Sequence, residues 1–167
     1  LTDCRLQGWK ESVKCGQLEV FENRQKAAGR KITLKFVVVP ATGGEKLKDP
    51  VFYLAGGPGG SAVEALSGMG AAFLARIREQ RDLVFIDQRG TGGSNPLKCN
   101  LYTDGQQMAP YFSDVFSLQR LAECRSRLEK DADLSQYTTS NAVADFDDVR
   151  KYLGYEKINL YGASYGT

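Results

Sequence analysis

Three glycine-bearing turns each stand directly behind a short β-type run, and this repetition restricts what the chain can fold into more than any other feature. VFYLA (51–55) runs into GGPGGS (56–61), LVFI (83–86) into DQRGTGGS (87–94), and KINLY (157–161) into GASYG (162–166). Short, continuous apolar runs fit strands buried on both faces, as in a parallel sheet covered by helices. Helical stretches between them complete the βαβ pattern of an α/β fold. Ligands of such sheets bind outside the carboxyl ends of the strands, so all three turns are expected to open on one crevice.

The remaining elements follow from periodicity. Residues 17–21 and the β-branched run KITLKFVVV (31–39), which stops at Pro40, predict an antiparallel pair turning through 27–30; residues 41–50 predict a loop. A helix is expected over 62–80, with Ala65, Phe73, Leu74 and Ile77 able to share a face, and another over 117–130 grouping Leu118, Leu121 and Leu128. Ser140 suits the N-cap of a third helix, in which Val143, Phe146, Val149 and Leu153 recur and which Gly154 ends. Asp145, Asp147 and Asp148 then sit early in that helix, as carboxylates on a solvated face. With no repeats or low-complexity tracts, 1–167 reads as one unit: antiparallel strands over 1–50, βαβ units over 51–167.

Charge and composition exclude several functions. Lys and Arg number 22 against 20 Asp and Glu, so a net charge of +2 gives no field that would select nucleic acid or an anionic membrane. No apolar run reaches the ~20 residues of a membrane-spanning helix. Residues 1–4 show no leader pattern, so any signal peptide is expected to have been removed already. Histidine is absent. A self-contained Ser-His-Asp site and a His-ligated metal are therefore excluded, and no cofactor or metal is expected.

Four cysteines allow three disulfide connectivities. Loop closure favours Cys4 with Cys15 and Cys99 with Cys124, and neither spacing is that of a zinc or redox motif. Bridged, they place the protein in a periplasm or outside the cell; four reduced thiols in a cytosolic protein are the alternative.

Chemistry concentrates in the turns. Gly162-Ala163-Ser164-Tyr165-Gly166 is a G-x-S-x-G pentapeptide behind a strand, the pattern of a nucleophile elbow. In such an elbow Ser164 occupies a strained turn, and any Cβ at Gly162 or Gly166 collides with backbone. A nucleophilic serine needs N–H groups near the developing oxyanion, one from the residue after it and one from the loop behind the earlier strand. Tyr165 and Gly57 are expected to supply them. Gly56 and Gly59 let the backbone approach, while Pro58 stiffens the loop and removes a competing donor. In the middle turn, Asp87 and Arg89 are expected to pair or to hydrogen-bond as a brace between loops. Gly57-x-Gly59-x-x-Ala62, with Asp87 some way downstream, also fits a dinucleotide fingerprint, whereas no G-K-[ST] follows to make a phosphate loop.

On GGPGGS, DQRGTGGS, ADFDDVRKYLGY (144–155) and YGASYGT (161–167), in that order and spacing, with Cys4 and Cys15-Gly16 before the following strand, the chain resembles the α/β-hydrolase family of proline iminopeptidases. It resembles the secreted tripeptidyl-aminopeptidase-like serine peptidases more closely, because Ala55 stands where proline iminopeptidases usually carry His. The resemblance implies an α/β-hydrolase fold with a mostly parallel sheet. It also implies Ser164 as nucleophile, Gly57 and Tyr165 as oxyanion hole, and short peptides with a free N-terminus as substrates. In that family the acid, the base and a helical cap follow the elbow. The 167 residues are thus expected to be the N-terminal part of a serine aminopeptidase, inactive alone, whose Asp and His come from later residues of the same polypeptide or from a second chain. An esterase or lipase of the same fold and a non-catalytic module with the same scaffold are the alternatives. In isolation, the strand before the elbow is expected to leave an apolar edge open to aggregation.

Overall fold

The computed structural model describes residues 1–7, 9–69, 71–99 and 117–167. Among the described residues six strands form one sheet: β1 (Thr2–Cys4), β2 (Val13–Phe21), β3 (Lys31–Val39), β4 (Val51–Leu54), β5 (Leu83–Ile86) and β6 (Asn159–Gly162). Their order is β1-β2-β3-β5-β4-β6. The pairings from β1 to β5 are antiparallel, while β4 runs parallel to both β5 and β6, so the sheet is mixed and parallel only in its second part. β1 was not foreseen; its three residues lie along β2, where Cys4 bonds to Cys15.

Both faces of the sheet are covered where the chain is most apolar. On one face Val37, Val39, Leu83 and Phe85 pack with Ala62, Val63, Leu66 and Leu74 of α1 (Ala62–Gly68) and α2 (Ala71–Arg78). On the other, Leu34, Phe36, Phe52, Val84 and Ile86 pack with Val149 of α4 (Thr139–Tyr152). All four residues of β5 are buried, which explains why its sequence does not alternate. The result is the three-layer α/β arrangement that the βαβ pattern predicts.

Three helical expectations are corrected. The single helix over 62–80 is two helices: α1 closes at Met69, whose extended backbone donates to Ala65 and Leu66. The break resets the helical phase, so Leu74 is buried while Phe73 is 58% exposed. The helix near 117–130 is α3 (Leu118–Leu128), but its leucines do not form a packed face, Leu118 being 85% exposed. Cys124, disulfide-bonded to Cys99, is the buried residue of α3. The third helix, α4, starts two residues early, capped by Thr138, whose hydroxyl accepts from the Asn141 N–H, rather than by Ser140. Asp145 is consequently a mid-helix residue, outside the reach of the N-terminal dipole. Gly154 ends α4 at φ +77°, with its N–H donating to Lys151 and that of Tyr155 to Arg150, a Schellman closure.

Candidate active site

β4 lies between its two parallel partners, and its neighbours carry crossovers to opposite sides, so the strand order reverses there. That reversal opens a crevice at the carboxyl ends. Pairing of Leu54 with Gly162 brings the turn behind β4 against the turn behind β6, and the Ala163 N–H reaches back to the Leu54 carbonyl at 3.3 Å. Two of the three glycine turns therefore meet through backbone.

The second of these turns is tight. Ser164 has φ +56°, in the left-handed region that side chains rarely occupy, and opens a single 3-10 turn, Ser164–Gly166. The hydrogen bonds of this turn run from Gly166 N–H to Ala163 and from Thr167 N–H to Ser164, leaving the Tyr165 N–H outside both. A Cβ on Gly162 would fall 2.9 Å from the Gly166 carbonyl carbon, and one on Gly166 would fall 2.7 Å from that of Leu54. Both glycines are required by close backbone approach, as the pentapeptide predicts.

Gly56 lies against the serine: a Cβ there would fall 2.7 Å from the Ala163 oxygen and 2.9 Å from Ser164 Cβ. Gly57 (φ +129°) and Gly59 (φ +96°) hold backbone shapes that suit glycine, and the Gly57–Pro58 bond between them is cis. The Gly60 N–H closes this loop onto the Gly56 carbonyl at 3.1 Å. Ser164 and Tyr165, the latter 52% exposed, border a largely apolar cavity of about 700 Å³ whose other walls include Leu54, Leu160 and Phe146.

Asp87 and Arg89 do not pair with each other; each braces a different contact. The Asp87 Oδ1 accepts from the Ser61 hydroxyl (2.6 Å) and the Val63 N–H (3.1 Å), and its Oδ2 accepts from the Gly93 N–H (2.8 Å). Asp87 thus joins the first turn to the middle one. Arg89 reaches instead to α4, donating through Nε and Nη2 to Asp145, and through Nη1 to the carbonyls of Glu22 and Gln136. Asp145 is therefore not on a solvated face: it is 1% exposed and also accepts from Arg24. Asp147 and Asp148 are only partly buried, paired with Arg150 and Lys151 and with Arg24 respectively. The dinucleotide reading fails on the same geometry. Both Asp87 oxygens are occupied and the side chain is buried, while Ser61 and Asp87 already take the Glu64 and Val63 N–H groups that a pyrophosphate would need.

Two residues of this network were missed in the sequence. Ser61 stands three before Glu64, a capping-box spacing, and its hydroxyl accepts from the Glu64 N–H at 3.0 Å. Asp145 falls between Ala142 and Val149 on the buried stripe of α4. Away from the crevice, both expected disulfides form: Cys4–Cys15 with Cα atoms 5.9 Å apart, and Cys99–Cys124 with 5.7 Å.

The family model described as alpha/beta hydrolase fold matches residues 49–167. Among curated proteins, serine protease Hip1 of Mycobacterium tuberculosis is 31% identical over 165 residues, which cover 92% of this chain and 31% of that protein. Tripeptidyl aminopeptidase of Streptomyces coelicolor is 29% identical over 170 residues, covering 93% of this chain and 31% of its own length. A tripeptidyl aminopeptidase of Streptomyces lividans matches at the same identity. The chain thus spans about a third of the length of the curated relatives it matches.

Proposed function

The chain belongs to the alpha/beta hydrolase fold family, and from that premise we propose that it carries the nucleophile and oxyanion hole of a serine peptidase that removes residues or tripeptides from the N-terminus of short peptides. The observation that carries this reading is Ser164 at φ +56° behind a parallel strand, with Gly56 packed against its Cβ. Its hydroxyl oxygen attacks the scissile carbonyl, and the N–H groups of Gly57 and Tyr165 receive the charge that develops on the carbonyl oxygen. Collapse of the tetrahedral species expels the amine and leaves an acyl ester on Ser164, which water then hydrolyses.

Proton transfer needs a partner. A serine hydroxyl is a weak nucleophile without an adjacent base, and the 167 residues contain no histidine. On this reading a histidine base comes from outside them, in the same polypeptide or a second chain, and the residues here supply attack and charge stabilisation. The name serine protease supports a serine peptidase and the name tripeptidyl aminopeptidase supports action on free N-termini, while two disulfides support a periplasmic or extracellular setting.

The test uses the complete protein and three substrates: a peptide anilide with a free N-terminus, its N-acetylated form, and a short acyl ester. Turnover of the first alone, abolished in Ser164→Ala, is the expected result. Equal turnover of the acetylated peptide removes the N-terminal requirement, and hydrolysis of the ester alone points to an esterase of the same fold.

A further inference from the structure

The two ends of loop 56–60 are held differently. At its start, Gly56 leans on the backbone of Ala163 and on Ser164. At its end stands Ser61, 8% exposed, whose hydroxyl makes two bonds of opposite sense. It accepts from the Glu64 N–H at 3.0 Å, and its proton goes to Asp87 Oδ1 at 2.6 Å. Asp87 is itself fixed to the sheet, because its N–H donates to the Lys35 carbonyl of β3 at 2.9 Å and its second oxygen holds the Gly93 N–H. Gly92 abuts this pair, since a Cβ there would fall 2.7 Å from Ser61 Oγ.

We propose that Ser61 is a positioning residue for the oxyanion-stabilising loop, its hydroxyl clamped by Asp87 so that the Gly57 N–H points at the oxygen of the carbonyl group whose carbon Ser164 attacks. The inference rests on the peptidase reading and adds a residue to it. Gly57 lies four positions before Ser61, within a loop of glycines and one proline that has little side-chain packing to fix it. With the start of the loop set by the elbow, the Ser61 hydroxyl sets its other end.

Donors aimed at an oxyanion act mainly in the transition state, and small displacements of them are costly. Loss of the Ser61 hydroxyl should accordingly reduce kcat and leave KM nearly unchanged. A side chain that merely supports folding would instead lower thermal stability without changing the balance of kcat against KM.

The experiment compares Ser61→Ala, Ser61→Gly and Ser61→Thr in the complete enzyme, using steady-state kinetics on a peptide anilide and inhibition by a peptide boronic acid, whose tetrahedral adduct occupies the oxyanion hole. Ser61→Gly guards against a folding failure, since glycine at an N-cap costs only a few tenths of a kcal/mol. The expected result for Ala and Gly is a fall in kcat of about 10- to 100-fold with KM within about twofold, and boronate affinity reduced in proportion. Ser61→Thr, which keeps the hydroxyl, restores most of both. A folded Ser61→Gly enzyme with parental kcat overturns the proposal, as does a kcat loss with unchanged boronate affinity. Ser164→Ala is run alongside. If it stays active, the nucleophile assignment falls; if it is silent while the Ser61 variants match the parent, only the Ser61 role falls.

Discussion

Arg89 and Asp145 meet as a two-pronged ion pair, Nε to Oδ2 at 2.6 Å and Nη2 to Oδ1 at 2.7 Å, with their side chains 0% and 1% exposed. The third guanidinium nitrogen is satisfied by two backbone carbonyls, so this one side chain ties the middle glycine turn to α4, to the end of β2 and to the segment before α4. Removing one partner of a buried pair leaves the other charge uncompensated. Arg89→Met is therefore expected to cost about 3 kcal/mol, the lower end of the range, because Arg24 stays beside Asp145. Arg89→Lys should recover little, since an ammonium cannot reproduce the fork. Urea unfolding of the two variants measures both effects.

Glycine substitutions should split by what a methyl group would meet. At Gly166 it would press on the carbonyl of Leu54, and Gly166→Ala is expected to lose about 1–3 kcal/mol and to distort the turn that carries Ser164. At Gly68, the last residue of α1, no atom of the described residues lies within 4 Å, so Gly68→Ala should stabilise by about 0.5–1 kcal/mol. Thermal melts of the pair test the contrast.

Tyr137 gives an alkaline signature. Burial, and a hydrogen bond to the Glu22 carboxylate at 2.9 Å, push its phenol from an ordinary 10.0 up to about 12. A group whose folded value is raised contributes stability that is intact below the unfolded value and drains as pH climbs through the folded one. Stability should thus decline between pH 10 and 12, and Tyr137→Phe should flatten that part of a melting-temperature profile.

Reduction should act unevenly. Each disulfide is worth about 3 kcal/mol in the chain-entropy view. Cys4–Cys15 clips a three-residue edge strand, so opening it should speed amide exchange in β1 and leave β3 and β5 protected. Opening Cys99–Cys124 should release α3, whose leucine stripe is largely exposed. Hydrogen exchange with and without reductant distinguishes the two.

β6 presents Leu160 at 63% and Tyr161 at 40% exposure, with β4 along one side and no described strand along the other. For the 167-residue chain alone, Leu160→Lys should lower the sedimenting fraction several-fold, because a charge on an open edge opposes strand addition.

Strand placement and the glycine turns could be read because their residue types have little freedom. β5 matches its expected bounds, and Gly162 and Gly166 stand where a methyl group cannot. The helices were harder. A period of apolar residues says which side could be buried, but Leu118 shows that nothing in the period supplies the covering surface. Asp145 misled for the opposite reason: an aspartate reads as solvated until the long-range partner, Arg89, is known. Arg89 lies 56 residues away in sequence, beyond any local pattern. Ser61 carried a local signal, its spacing to Glu64, but only the fold discloses that Asp87 takes its proton.

Because β4 hydrogen-bonds to β6 in one register, Leu54 opposite Gly162, the separation between the glycine loop and Ser164 has no continuous adjustment. A slip of one residue would move the serine by about 3.3 Å and turn every side chain of β6 to the other face. Substitutions in this chain can therefore not tune the spacing of the two turns by degrees: each keeps that rung of the ladder or loses it, and finer adjustment falls to segments that hang from the sheet.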